Sequence, residues 1–368
     1  MTRQHRIPEE TSVFLDAVRV VAALVVFLSH FGAQRYSGGL LWFMYPLGAR
    51  AVDLFFVLSG FLISHAAATR EGDLWHYTVA RLARIYSVAI PAICVTLVSY
   101  WWVSHLGESA NTYVGPTKPS IPAEIAINLG FLGNIWNLNV GLLSNGPYWS
   151  LGFEVPYYIL FGLTLLRARW KYVAIATLAS LFGPKIMLMM LPWLLGAGVR
   201  RIALSDAVSP RAGATLCIAA MAGFAVWSLS MPIFHGGAYE PLTFTLKRLR
   251  ILGDSYIMGS LFAIFILGIH AIRRSLTQPL RRIARPVRWL AGMSFAFYLF
   301  HVPLMEAIRA TSPWPVTAWP TRMMYLTVVP LTVWALSYVS ERRKADWARL
   351  FHRALPGRPL TPPTTPSP

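Results

Sequence analysis

Residues 14–31 form the stretch FLDAVRVVAALVVFLSHF, which decides the fold class. Apart from Asp16, Arg19, Ser29 and His30 it is apolar, and a helix of about 20 such residues covers the hydrocarbon core of a bilayer. The preceding segment 1–13 contains Glu9 and Glu10, and no small-residue cleavage site follows the apolar run. The stretch is therefore predicted to be a retained span and not a removed signal peptide.

Similar apolar stretches recur along the 368 residues, of which 55% are hydrophobic and 13% charged. This composition predicts an all-α polytopic membrane protein with about ten transmembrane helices. The predicted division is a cytoplasmic segment 1–13, a membrane domain 14–340 and a basic, proline-rich cytoplasmic tail 341–368. The predicted spans are 14–33, 48–67, 85–104, 149–166, 171–183, 186–203, 213–231, 251–271, 288–309 and 322–340.

The basic residues predict the orientation. The formal net charge of +18 comes from Lys and Arg in short clusters between apolar runs, which is typical of membrane topology and excludes nucleic acid as a partner. With a cytoplasmic N-terminus, about 23 of the 33 basic residues fall inside; Lys247, Arg248 and Arg250 are exceptions. Both termini are therefore predicted to be cytoplasmic.

Three further features concern the segments around the spans. The connection 105–148, which contains Pro116, Pro119 and Pro122, is either a re-entrant cover over a site or an ordered connector. Residues 357–368, GRPLTPPTTPSP, are predicted to be disordered. Cys94 and Cys217 lie in apolar stretches and are predicted to be core residues, with no disulfide or metal site.

Arg19 and His30 are the first candidate functional residues. They are eleven residues apart, so on a helix they share a face and lie roughly 16 Å from each other. Ionisable side chains within a span are unfavourable and mark functional sites. The alternative is that Arg19 extends to the lipid headgroups and His30 only ends the span.

Acids and a second histidine occur in later spans. Asp53 and Glu154 are predicted at the level of His30, where a carboxylate orients an imidazole; alternatively, each stabilises its own helix terminus. His301 is predicted near the middle of the membrane, either as a functional residue or as a core histidine with its hydrogen bonds satisfied. Ser59 and Gly60 are predicted to allow close helix packing.

Arg81 and Arg84 lie at the predicted cytoplasmic end of the third span. Their spacing of three residues places both on one helical face, an arrangement that can bind phosphate groups. The alternative is that they only set the topology.

Five sequence elements together resemble the acyltransferase-3 family of membrane acyltransferases. They occur in the family's order between about residues 14 and 340: FLDAVRVVAALVVFLSH at 14–30, VDLFFVLSGFLI at 52–63, RLARIY at 81–86, WSLGFE at 149–154 with YYIL after it, and SFAFYLFH at 294–301. Ala17 and Ser87 depart from the family pattern, which often has glycine and proline at these positions.

The resemblance implies an enzyme of the bacterial inner membrane that transfers an acyl group, usually acetyl, from cytoplasmic acyl-CoA to a hydroxyl of a glycan or similar acceptor. It implies no metal, and the chain shows no C-terminal esterase-like domain. By resemblance, His30 is the essential histidine, with Arg19 as its partner in the first-span motif, and Glu154 is the acid of the fourth-span motif. Asp53, placed at the level of His30, is a further catalytic candidate. Arg19, Arg81 and Arg84 are the donor-binding residues.

Two mechanisms and one other function stay open. His30 is either the general base for the acceptor hydroxyl or a residue that is itself acylated. A transporter or flippase for a glycan or lipid-linked substrate uses buried polar residues in a similar way, but the sequence shows no clear repeat and no paired broken helices. A catalytically silent scaffold does not explain the density of polar residues within the spans.

Overall fold

The computed structural model describes residues 7–69, 71–109, 119–230 and 244–355, with side chains described except at residues 230 and 244–248. These ranges contain helices and no strand. The helices are α1 Glu9–Phe31, α2 Gln34–Ser37, α3 Leu47–Thr69, α4 Leu74–His105, α5 Ile121–Leu129, α6 Leu151–Thr164, α7 Lys171–Phe182, α8 Pro184–Leu188, α9 Leu191–Leu204, α10 Pro210–Ser230, α11 Phe244–Ala271, α12 Thr277–Ala291, α13 Ser294–Thr311, α14 Trp319–Ser337 and α15 Lys344–Ala354.

Each of the ten predicted spans overlaps at least one of these helices. Within the described ranges, seven helical segments are long and apolar enough to cross a membrane, or eight if the pair α12 and α13, bent by 49°, forms one span. Helices α6 and α7, with 14 and 12 residues, are shorter than a bilayer core requires. The all-α polytopic fold is confirmed, whereas ten crossings and the cytoplasmic termini stay predictions.

Helix α1 packs against α3, α12 and α13 and so lies inside the bundle. It begins directly after Pro8, and Glu9 and Glu10 in its first turn complement the positive end of the helix dipole. Buried residues such as Ala22, Val26 and Phe27 face its neighbours, while Val21 and Leu24 are exposed on another face. The charged residues of α1 can therefore be directed towards protein rather than lipid.

Helices α3 and α9 approach each other backbone to backbone. A Cβ atom on Gly60 would lie 1.8 Å from the carbonyl oxygen of Trp193, and one on Gly196 would lie 1.9 Å from that of Val57. The packing role predicted for Gly60 is thus confirmed, because only glycine allows this separation.

A valine at position 196 is expected to destabilise the protein by at least about 2 kcal/mol, because backbone atoms cannot move aside as a side chain can. Gly198 of the same helix has no atom within 4 Å of the added Cβ, so Gly198→Val is the matched control, expected to change stability by less than about 0.5 kcal/mol. Thermal unfolding in detergent measures both. Equal unfolding temperatures for the two variants would contradict the close approach.

The connection before α6 is ordered over its described part, residues 119–148. The Glu124 carboxylate is buried and accepts a hydrogen bond from the backbone N–H of Leu143 at 3.2 Å, and Asn128 donates to the carbonyl of Gly141 at 2.8 Å. The backbone N–H of Trp136 donates to the carbonyl of Phe182, the last residue of α7. This matches the ordered-connector alternative. Pro116, Arg70 and the tail 357–368 lie outside the described residues.

Candidate active site

A cavity of about 470 Å³ lies among α1, α3, α4, α6, α13 and α15. Its walls combine apolar side chains with charged ones, and four of the charged residues are ones that the sequence motifs single out. The charged residues are Arg19, Glu71, Arg81, Arg84, Glu154 and Lys344. The fold thus brings together the three predicted donor-binding arginines and one predicted catalytic acid.

Arg19 is held inside the protein by partners on three segments. Its Nη1 lies 3.7 Å from Oδ1 of Asp16, and its Nη2 lies 3.6 Å from Oε1 of Glu341. The same Nη2 donates a hydrogen bond to Oγ of Ser294 at 3.1 Å. Glu341 also accepts hydrogen bonds from the backbone N–H groups of Phe295 and Ala296 at the start of α13. These contacts direct the guanidinium into the cavity wall. Arg19 therefore does not extend to the lipid headgroups, which was the alternative.

Arg81 and Arg84 lie on one face of α4, as predicted, but their partners differ. Nη2 of Arg81 is 2.5 Å from Oε1 of Glu71, and its guanidinium lies over the rings of Tyr77 and Tyr158. Arg84 lies over the ring of Phe295 and forms no ion pair with any described residue. Arg84 is therefore the more available of the two for an incoming anion.

Glu154 hydrogen-bonds within the cavity and not to His30. Its Oε1 accepts hydrogen bonds from Ser59 Oγ at 2.9 Å and from the hydroxyl of Tyr158, and Ser59 in turn accepts from Nε1 of Trp193. Tyr158 is four residues further along α6, so the two side chains share a helix face and meet. The expectation that Glu154 orients His30 is therefore wrong in this structure; its charge acts on Arg19 and Arg84 instead.

Asp53 also has other partners than His30. Its Oδ2 lies 3.0 Å from Nη1 of Arg50, one turn earlier on α3, and both side chains are almost fully buried. Ser255 of α11 is a further hydrogen-bonding partner of Asp53. A buried carboxylate requires a nearby cation, and Arg50 supplies it on the face of α3 that packs against α11. This pair was not predicted from the sequence, although the i, i+3 spacing of Arg50 and Asp53 on a helix indicates it.

His30 instead meets His301. Nδ1 of His30 lies 3.2 Å from Nε2 of His301, and the two rings are inclined by 61°. Each Nδ1 also faces the backbone carbonyl four residues earlier, Val26 at 2.9 Å for His30 and Phe297 at 3.0 Å for His301. His301 is fully buried, whereas His30 is half-buried.

These contacts determine the tautomers. A carbonyl oxygen only accepts hydrogen bonds, so Nδ1 of each ring carries its proton. Nε2 of the neutral His301 then accepts, and the Nδ1 proton of His30 is shared between Val26 and His301. No described residue is hydrogen-bonded to Nε2 of His30, which with the proton on Nδ1 carries a lone pair, the form required of a base or a nucleophile.

Helices α1 and α13 connect the cavity with this histidine pair. Ser294 and Tyr298 of α13 line the cavity, and His301 follows Tyr298 by three residues on the same helix face. On α1 the corresponding residues are Arg19 and His30, roughly 16 Å apart along the helix axis. One pair of neighbouring helices therefore presents a cation at the cavity and a buried imidazole pair about half a bilayer away.

Residues 12–340 match the family model described as an acyltransferase domain. The chain belongs to the acyltransferase-3 family. The family predicted from the five sequence elements is confirmed. The chain is accordingly an integral, multi-pass membrane protein.

The chain is similar to curated proteins from several organisms. It is 26% identical over 342 residues to O-acetyltransferase OatA of Staphylococcus aureus (strain NCTC 8325 / PS 47), covering 80% of this chain and 51% of the relative. An O-acetyl transferase of Shigella phage Sf6 is 28% identical over 160 residues, covering 42% and 46% of the two chains. Protein 2 in picA locus of Rhizobium radiobacter is 28% identical over 184 residues, covering 47% and 92%.

The chain thus spans about half the length of the OatA relatives. No solved structure matches it. Among the described residues there is no group of three or more His, Cys, Asp or Glu side chains placed to hold a metal ion. That no metal takes part stays a prediction, as do the catalytic and donor-binding roles of the individual residues.

Proposed function

We propose that the chain is an O-acetyltransferase of the bacterial inner membrane, which moves an acetyl group from cytoplasmic acetyl-CoA to a hydroxyl of a carbohydrate acceptor. The observation that carries the proposal is the joint placement of a cationic cavity and the His30–His301 pair on two neighbouring helices. The names of the OatA and phage relatives favour acetyl as the acyl group and a hydroxyl as the acceptor.

The donor occupies the cavity in this proposal. Arg84 and Arg19 attract the phosphate groups of coenzyme A, because guanidinium groups form strong charge-assisted hydrogen bonds with phosphate. The pantetheine arm extends along α1 and α13 towards the histidine pair. Its length is comparable to the separation of roughly 16 Å between Arg19 and His30 along the helix.

The chemical step uses Nε2 of His30. As general base it takes the proton from the acceptor hydroxyl while the oxygen attacks the thioester carbonyl. The carbon–sulfur bond breaks, the coenzyme leaves as its thiolate, and the proton on His30 passes to that sulfur. In the covalent alternative, Nε2 attacks the thioester carbonyl and the thiolate leaves. The acceptor hydroxyl then attacks the acetyl-imidazole, the bond between carbon and Nε2 breaks, and the hydroxyl proton passes to Nε2 and from there to the thiolate.

Purified full-length chain with labelled acetyl-CoA and a bacterial surface glycan tests the proposal. We expect release of free coenzyme A thiol together with label on the glycan. Rapid quenching in the absence of acceptor separates the two routes, because only the covalent one leaves label on the protein. A chain that moves a glycan across a vesicle membrane without consuming thioester would instead be a transporter or flippase.

Glu154 is expected to support the donor site and not the proton transfer. Glu154→Gln removes the carboxylate charge that faces Arg19 and Arg84, so the arrangement of the two cations changes. We expect KM for acetyl-CoA to change by about tenfold, equivalent to about 1.4 kcal/mol, with a smaller change in kcat. Tyr158→Phe is the control, because it removes one hydrogen bond to the same oxygen and leaves the charge. A loss confined to kcat would favour a direct catalytic role for Glu154.

A further inference from the structure

A second cavity, of about 430 Å³, adjoins the first. Arg19, Arg84, Phe295 and Lys344 line both cavities, so the two meet at these side chains. Among the described residues, five cations and two carboxylates line the second cavity. They are Arg19, Arg84, Arg288, Arg342 and Lys344, with Asp16 and Glu341. The side chains that line the second cavity therefore carry more positive than negative charge.

Most of these cations already have partners. Arg19 contacts Asp16 and Glu341, and Arg288 lies 3.1 Å from Glu9. Arg342 donates to Ser337 Oγ and the carbonyl of Trp289, and its guanidinium lies over two aromatic rings.

Lys344 and Arg84 line the junction of the two cavities, and across the part of the chain that the structure describes neither forms an ion pair. Arg84 lies over the ring of Phe295 and is hydrogen-bonded to Tyr158, which leaves its charge without a carboxylate in direct contact. Lys344 also lies within electrostatic range of Arg19 and Arg84, and these like charges repel one another. Glu341 and Asp16 offset only part of the repulsion at Lys344, so an anion at the junction would be attracted by both Lys344 and Arg84.

The position of Lys344 is fixed by the fold. It is the first residue of α15 and follows the 3-10 turn Glu341–Arg343. The Glu341 carboxylate holds this turn to the first residues of α13 through two backbone hydrogen bonds of 3.0 Å. Helix α15 then packs against α4, which carries Arg84. The segment after the last span therefore forms one wall of the cavities and not a free tail.

We propose that Lys344, together with Arg84, binds the diphosphate group of acyl-CoA at the junction of the two cavities. This inference rests on the proposed function and assigns part of the donor site to the segment that follows the last span. The ribose phosphate then lies in the second cavity, and the pantetheine arm enters the first. The ammonium group of Lys344 is suited to this role as a mobile point charge beside the planar guanidinium of Arg84.

Binding of coenzyme A to the full-length chain in lipid nanodiscs, measured by titration calorimetry, tests the assignment without an acceptor. We expect Lys344→Gln to weaken binding by about tenfold, equivalent to about 1.4 kcal/mol. Dephospho-CoA, which keeps the diphosphate but lacks the ribose phosphate, should show the same factor. Lys344→Arg keeps the charge and should stay within about threefold of the wild-type affinity.

Arg343→Gln is the matched control, because Arg343 is exposed and pairs with Asp346. We expect it to leave the affinity within about twofold. Wild-type affinity in Lys344→Gln would overturn the assignment, and so would a loss seen with coenzyme A but not with dephospho-CoA. An equal loss in Lys344→Arg would indicate packing and overturn it as well. Failure of the wild-type chain to bind coenzyme A would instead refute the proposed donor itself.

Discussion

His30→Asn is expected to reduce acetyl transfer by about a thousandfold or more, while the protein folds and binds donor normally. The amide nitrogen of asparagine lies where Nδ1 of histidine lies, so it can still donate to Val26 and His301. Asparagine has no counterpart of Nε2, which is the atom assigned as base or nucleophile. The substitution therefore removes the reacting atom and keeps the hydrogen bonds that position it.

Release of coenzyme A thiol measures the loss, and calorimetric binding of coenzyme A serves as the control. Donor affinity should stay within about twofold, because Arg19 and the cavity lie roughly 16 Å from His30. A variant that keeps more than about a tenth of the wild-type rate would show that Nε2 does not take part in the reaction. A variant that loses both rate and donor affinity would place His30 in the donor site.

The helices could be predicted from the sequence because each one depends on a local property, an apolar run about as long as a bilayer core is thick. Each of the ten predicted spans overlaps a helix, and the first, residues 14–33, corresponds to Glu9–Phe31. The spans predicted at 149–166 and 171–183 also appear as helices, of 14 and 12 residues, and neither is long enough to cross a bilayer alone. Hydropathy thus locates helices better than it counts crossings.

The partners of His30 could not be predicted in the same way. Asp53 and Glu154 were expected beside it because all three lie at similar depths in their spans. Depth along a helix does not set rotation about its axis, and the side chains that meet depend on which helices are neighbours. In the structure α13 packs against α1, which brings His301 to His30, while Asp53 faces α11.

The contribution of residues outside the spans could not be predicted for a related reason. Lys344 belongs to a basic cluster that follows the last apolar run, a pattern that by itself indicates only topology. Its position in the cavity depends on Glu341, whose hydrogen bonds to the start of α13 are a tertiary contact without a local sequence pattern. Arg81 and Arg84 were placed on one face correctly, since a spacing of three residues determines that alone.

Replacement of His301 by phenylalanine is expected to lower kcat by about 10- to 100-fold with little change in KM for acetyl-CoA. Phenylalanine keeps an aromatic ring against Phe27 and Phe297 but offers no acceptor to the Nδ1 proton of His30. The imidazole of His30 then keeps only its bond to Val26, so its orientation and tautomer are held less firmly. KM should be unaffected because His301 does not line the donor cavity.

His301→Gln distinguishes positioning from simple packing. The glutamine side chain can place its amide oxygen near the position of Nε2 and accept the proton of His30 Nδ1, so we expect it to restore kcat to within about tenfold of wild type. Equal inactivity of both variants, with wild-type unfolding temperatures, would contradict a role confined to accepting that proton. Wild-type kcat in His301→Phe would show that Val26 alone fixes the tautomer of His30. His301 is fully buried and contacts the ring of His30, so its effect on the reaction passes through that ring.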